Sequence, residues 1–304
     1  SANQPLFNRA ISGIYNPGST IKPLVGTAAL TEGILDPKHQ IYSPGYLDVP
    51  NPYNPEHPSR FLDWRPQGWV DLYSALARSS NVYFYSVGGG FGDQKGLGIE
   101  RLKKWWHNFG LDEKTNIDLT GEDAGFLPDP AWKERVKGEP WRLGDTFNVS
   151  IGQGDFSVTP IELLNYINAV ANGGKLNKQR VMNEIKNIKG ETILKNEAAI
   201  LRDLSAEIGP ALAEVRKGMR EGVIRDYGTS YLLHDLPIPV AAKTGSAQVS
   251  NNTKTNAFFV GFAPYDDPKI AILILVENAR EGSLNVVPVA RDVFLWYYNN
   301  RING

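Results

Sequence analysis

Cysteine is absent from the 304 residues, which excludes disulfides, thiolate nucleophiles and cysteine-based zinc sites and is compatible with an oxidising compartment. No apolar run reaches the roughly 18 residues needed to cross a bilayer, and Ser1-Ala2-Asn3-Gln4-Pro5 carries no signal-peptide pattern. Net charge is nearly absent too: 32 basic residues against 33 acidic leave −1, so no overall field steers the chain to nucleic acid or anionic lipid. The histidines, His39, His57, His107 and His234, are scattered without metal-ligand spacing. Neither Gly-x-Ser-x-Gly nor a Ser, His, Asp set is present. Gly88-Gly89-Gly90-Phe91-Gly92 lacks a following Gly-Lys-Ser/Thr and a preceding strand, so it reads as a flexible helix end and not as a phosphate loop. Repeats and low-complexity tracts are missing as well. What remains, at 41% hydrophobic and 21% charged, is a globular chain long enough for one large domain or two lobes sharing a cleft.

Against that background the run Asn16-Pro-Gly-Ser-Thr-Ile-Lys-Pro23 stands out. Pro17 and Gly18 supply a turn, and Pro23 lies where a missing N–H breaks no intrahelical bond, so a helix is expected from about Ser19. Residues three apart share a helix face, which brings the Lys22 amine toward the Ser19 hydroxyl; the positive helix end favours negative charge there. This pairing activates a hydroxyl without histidine. Taken alone, Ser-x-x-Lys reads better as an N-cap serine and a surface lysine.

Farther along, Ser19 to Glu32 has a broad apolar face and should be a buried helix. Asp36 to Trp69, with Pro44, Pro50, Pro52, Pro55 and Pro58, is expected as a long irregular excursion with short hairpins at most. Val70 to Val87 regains helical spacing in two pieces broken at Arg78-Ser79-Ser80. Ile99 to Phe109 reads as a helix whose Leu102, Trp105, Trp106 and Phe109 are core contacts and not a base-stacking platform. Gly121 to Phe147 looks irregular. Pro160 to Ala171 is a helix capped by Thr159, followed by two strands and a helix from about Ala206 to Glu221. Strands Ile238 to Val249, Asn256 to Pro264 and Lys269 to Glu277 should form an antiparallel meander before a closing helix, Val287 to Tyr298.

Two further motifs follow Ser19 and Lys22 in order: Ser79-Ser80-Asn81 and Lys243-Thr244-Gly245-Ser246. With Asn8-Arg9-Ala10, Asp63-Trp64, Gly152-Gln153-Gly154, Thr159-Pro160 and Phe262-Ala263-Pro264-Tyr265, they make the whole chain resemble the transpeptidase domain of class B penicillin-binding proteins, most closely the elongation-type penicillin-binding protein 2. The resemblance implies an α+β penicillin-binding transpeptidase fold over residues 1–304. It would have a mainly helical lobe at roughly 34–150 and a sheet lobe including 238–304, with the site in the cleft between them. It implies a D,D-transpeptidase that cross-links peptidoglycan stem peptides through a serine acyl-enzyme and is trapped by β-lactams, and that with water as acceptor would act as a carboxypeptidase. Its place would be the extracytoplasmic face of the bacterial inner membrane, beside a membrane glycosyltransferase of the elongation machinery. Nucleic acid is not an expected partner. Relatives carry an N-terminal membrane helix, a pedestal and sheet strands before the nucleophile, so this chain is expected to be a piece of a longer protein whose sheet lacks those strands or replaces them.

On that footing Ser19 is the nucleophile and Lys22 its base, while Ser79 relays a proton and Asn81 orients Lys22. Lys243, Thr244 and Ser246 bind the substrate carboxylate, and Gly245 leaves room for close approach. The backbone N–H groups of Ser19 and Ser246 form the oxyanion hole. Without the other motifs, Ser79 and Asn81 would read as a helix cap. Some relatives hold zinc with Asp, His and Cys; Asp63 is kept here, but no cysteine exists and no histidine lies between Asp63 and Ser79, so neither metal nor other cofactor is expected. The alternatives are a serine β-lactamase, for which Glu162-Leu163-Leu164-Asn165 comes near a deacylation motif but reads better as a first-turn helix glutamate, and a β-lactam sensor domain.

Overall fold

The computed structural model describes residues 4–51, 54, 56–249, 254–279 and 282–304; Pro52 and Pro55 of the proline cluster lie outside them. A short helix α1 (Arg9–Ser12) leads to a 3-10 turn, Gly18–Ile21, that runs directly into α2 (Lys22–Thr31). Residues Lys22 to Ala29 are all buried, as the broad apolar face requires. The proline-rich excursion folds as two small antiparallel ribbons, β1 (Ile41–Ser43) with β4 (Gly68–Val70), and β2 (Tyr46–Val49) with β3 (Ser59–Leu62).

Helices α3 (Leu72–Arg78) and α4 (Asn81–Gly89) are separated by Ser79, which closes α3 in the left-handed region at φ 59°, and by Ser80, whose hydroxyl caps α4 by accepting from Tyr83 N. The first two glycines of the run ending α4 are tightly packed. A Cβ on Gly88 would fall 1.9 Å from Ser150 Oγ, and one on Gly89 2.5 Å from the Phe147 ring, so these glycines let α4 press against a later helix.

Next come α5 (Gly98–Asn108), α6 (Pro130–Lys137), α7 (Leu143–Ser150) and α8 (Pro160–Ala171). The irregular reading of 121–147 is corrected by α6 and α7. Pro130 occupies the first helical turn, where proline is tolerated, Asp129 caps Trp132 N at 2.7 Å, and Gly138 closes the helix at φ 68°. Instead of two strands, four short ones follow as two ribbons: β5 (Lys175–Asn177) with β8 (Ile200–Asp203), and β6 (Glu184–Lys186) with β7 (Thr192–Lys195).

The long helix α9 (Ser205–Ile224) precedes the meander β9 (Ala241–Val249), β10 (Lys254–Ala263) and β11 (Ile270–Ala279), and α10 (Gly282–Tyr297) closes the fold. The three strands form one antiparallel sheet in the order β11-β10-β9. β10 is apolar on both faces: Phe258, Val260 and Phe262 join the larger core beneath α2, α8 and α9, while Ala257, Phe259 and Ala263 join a second core with Val286, Ala290 and Phe294 of α10. Each large side chain so enclosed contributes about 1.5–3 kcal/mol. Sheet edge β9 is thereby set against the turn that carries Ser19.

Candidate active site

Three glycines let three backbone segments converge. Gly18 has φ +55°, and a Cβ there would lie 2.6 Å from the Ser246 carbonyl oxygen; a Cβ on Gly152 would lie 2.3 Å from the Gly18 oxygen. The third is Gly245, whose Cβ direction is filled by Thr20 Cγ2 at 2.8 Å, Thr20 N at 3.0 Å and Pro17 O at 3.1 Å. The room expected for a ligand beside Gly245 is therefore occupied by the Ser19 turn, because period two aims that position inward. Gly245→Val should lower both stability and acylation: overpacking against backbone costs about 1–3 kcal/mol. A fall of several degrees in melting temperature with a loss of acylation of at least about tenfold is expected. An unchanged melting temperature would contradict this packing.

Lys22 and Lys243 sit under this junction, both almost wholly enclosed at 0% and 1% exposure. The Lys22 Nζ donates to Ser79 O at 2.8 Å, to Asn81 Oδ1 at 2.7 Å and weakly to Ser79 Oγ at 3.4 Å. Asn81 is oriented for this because its Nδ2 donates to Leu62 O at 3.2 Å, leaving the amide oxygen toward the lysine. Lys243 Nζ donates to Ser79 Oγ at 2.8 Å and to Thr244 O at 2.8 Å. No side-chain hydrogen bond joins Ser19 to Lys22; the two are linked through the backbone, where Lys22 N donates to Ser19 O as the 3-10 turn passes into α2.

Burial lowers the Lys22 ammonium to about 7, with the charge of Asp63 opposing the shift. Lys243 is also pushed well below its ordinary range, by burial and then by Lys22. Neutral Lys22 has two N–H bonds to give, and Ser79 O with Asn81 Oδ1 takes both. Its lone pair then remains for a hydroxyl proton.

Asp63 is held in place by four donors. Its oxygens accept from Ser43 Oγ at 3.1 Å, Ser80 Oγ at 2.7 Å, Val82 N at 3.1 Å and Trp64 N at 2.9 Å. It locks the start of α4, and hence Ser79 and Asn81, while its charge supports that of Lys22.

These groups border a cleft of about 1050 Å³ lined by Ser19, Ser79, Asn81, Thr244, Gly245 and Ser246, and also by Asn16, Arg60, Trp64, Asn148, Gln153 and Thr229. Lys22 and Lys243 lie behind its wall and meet it through Ser79. Arg60, Asn148 and Thr229 were missed from sequence. No local pattern marks them, because ribbon, helix and loop bring them together through space. Glu162 is absent from the lining. Its carboxylate accepts from Thr159 N at 2.6 Å, Thr159 Oγ1 at 2.9 Å and Gly125 N at 2.8 Å. Burial raises it to about 7 against the pull of those donors, as a helix-capping glutamate and not as a base facing the cleft.

If Lys22 is the base, acylation should rise with pH and level off above about 7. The same depressed value means that the unfolded chain binds more protons than the native one between about 7 and 10.5, so stability should also rise with pH across that window. Acylation rates measured from pH 5.5 to 8.5 check the first point; a flat profile would remove Lys22 from the base role.

Comparison with known proteins places this geometry in a family context. Residues 1–295 match the family model described as penicillin binding protein transpeptidase domain. The peptidoglycan D,D-transpeptidase MrdA of Haemophilus influenzae is 35% identical over 98% of this chain and 46% of its own length. The Helicobacter pylori penicillin-binding protein PBP2, also solved in complex with MreC, superposes with TM-score 0.84 at 31% identity, over 99% of this chain and 53% of that one. Pseudomonas aeruginosa PBP2 in complex with WCK 5153 gives TM-score 0.82 at 31% identity, over 99% and 65%. The chain thus spans about half the length of the curated relatives it matches.

Proposed function

The chain belongs to the penicillin-binding protein transpeptidase family, in its PBP2 (MrdA) branch, and from that premise we propose that it is a peptidoglycan D,D-transpeptidase of the elongation type. The observation that carries the reading is a buried Lys22 with two fixed acceptors, a third contact with Ser79 Oγ at 3.4 Å and a value lowered to about 7.

Ser19 Oγ attacks the penultimate D-Ala carbonyl of one stem peptide while neutral Lys22 takes its proton. The oxyanion is met by the N–H groups of Ser19 and Ser246. Ser79, in contact with both lysines, passes the proton to the leaving nitrogen; the C–N bond breaks, terminal D-Ala departs, and an ester remains on Ser19. An amine of a second stem then attacks the ester, losing its proton through the same groups as Ser19 is restored. The Thr244 and Ser246 hydroxyls hold the donor carboxylate, while Lys243, expected to share that grip, lies buried behind the wall and acts through its bond to Ser79 Oγ. A β-lactam follows the first half, but its leaving nitrogen stays tethered and blocks the acceptor.

Asp63 is the carboxylate among the described residues lining the cleft, and its oxygens are already committed to four donors. Among the described residues, then, the cleft offers no free carboxylate to activate water on the ester, which favours transpeptidase over β-lactamase. We take residues 1–304 as one transpeptidase domain with a helical and a sheet lobe, working at the extracytoplasmic face of the inner membrane. Its partners would be an MreC-like protein and a membrane glycosyltransferase. The test is incubation with a synthetic stem pentapeptide and an amine acceptor. D-Ala release with formation of the cross-linked product is expected; a chain that acylates with penicillin yet only hydrolyses penicillin, leaving the peptide untouched, would overturn it.

A further inference from the structure

The Gly152-Gln153-Gly154 segment takes no part in the chemistry above, yet it touches both elements that carry the oxyanion donors. It is anchored to the end of α7 by Gly152 N to Val149 O at 3.0 Å and Gln153 N to Asn148 O at 2.9 Å. From there Gly152 O accepts from Gly18 N at 2.9 Å, and Gly154 O accepts from Asn16 Nδ2 at 2.8 Å, which ties down the turn on both sides of Pro17. Glycine is required at 152, since φ is +75° and a Cβ would strike Gly18.

On the other side, Gln153 Nε2 donates to Ser246 O at 3.1 Å. In an antiparallel strand a residue's N–H and C=O point to the same edge. Because the Ser246 carbonyl faces Gln153, away from β10, its N–H faces the same open edge and stays free. Ser19 N and Ser246 N belong to different elements, a 3-10 turn and a strand, 227 positions apart in sequence.

We propose that Gln153 is a positioning residue for acyl transfer: its side-chain amide clasps the Ser246 carbonyl and so holds the Ser246 N–H at a fixed distance from the Ser19 N–H. This rests on the reading of Ser19 as nucleophile. Losing a whole oxyanion donor costs about 10²–10³ in rate, and loosening one by releasing its own carbonyl costs a part of that.

The test compares wild type with Gln153→Met, which keeps length without a donor, and Gln153→Glu, which keeps shape and offers only acceptors, so that one reports if the other fails to fold. With benzylpenicillin, rapid-mixing kinetics should show the acylation rate constant falling about tenfold while the dissociation constant of the pre-covalent complex stays within about threefold. The infrared stretch of the acyl-enzyme ester carbonyl should move to higher wavenumber in both variants, because weaker hydrogen bonding leaves that carbonyl less polarised; a packing defect alone would not shift it. If wild type acylates on Ser19 and either folded variant keeps its rate within about threefold, or slows with the carbonyl stretch unmoved, the proposal is overturned while the transpeptidase reading stands. If wild type forms no adduct, both fall together.

Discussion

Ser19→Ala will fold with the wild-type melting temperature and form no covalent adduct with a penicillin. The hydroxyl lines the cleft, and the turn around it is held by other groups: Gly18 N to Gly152 O at 2.9 Å, Thr20 Oγ1 to Pro17 O at 2.6 Å and Tyr166 hydroxyl to Thr20 O at 3.2 Å. Deleting one oxygen that faces open space removes no packing, and such substitutions stay within about 0.5 kcal/mol. The chemistry, in contrast, has no substitute, because Ser79 Oγ is occupied by Lys243 at 2.8 Å and sits in a left-handed residue between two helices. Intact-mass measurement after incubation reads the outcome. A one-to-one adduct surviving on another serine would show that the nucleophile was misassigned.

Lys22→Met should lower acylation by about 10²–10⁴, the range for removing a general base, with a modest fall in the melting temperature. Methionine keeps the side chain's length and deletes a buried amine whose desolvation opposes folding, although it orphans Asn81 Oδ1 and Ser79 O. Each buried acceptor left without a donor costs about 1–3 kcal/mol, which the relief of desolvation offsets only in part. Rapid-quench kinetics check the rate. If it stays within about threefold of wild type, under about 1 kcal/mol, Lys22 has no base role, and Lys243, itself depressed by burial, becomes the base.

Much of this site was legible because its parts are local patterns. Ser19 and Lys22 share one short run, Ser79 to Asn81 breaks a helical period, and Lys243 to Ser246 interrupts an apolar strand. The meander β9–β11 and helix α8, with its Thr159 cap, were legible for the same reason. What could not be read is what those residues touch. Lys22 reaches Ser79 and Asn81 across 57 and 59 positions, and no spacing rule reports that its acceptors are a carbonyl and an amide oxygen. Nor could the sequence say that the space at Gly245 belongs to Thr20 and Pro17, since period two tells which side a residue faces but not what fills that side. The helices at 130–137 and 143–150 were hidden by prolines read as breakers, where Pro130 is an opener. Gln153 was visible only as a letter between two glycines; its contact with Ser246 lies 93 positions away.

The central claim is that the acyl-enzyme forms on Ser19 and then meets, among the described residues, no free carboxylate to release it. An intact-mass time course of the wild-type chain with a penicillin, followed by peptide mapping of the adduct, tests both halves. The account predicts a single adduct that persists for many turnovers' worth of time and maps to the peptide containing Ser19. Rapid return to the free mass, or an adduct on any other residue, would contradict it.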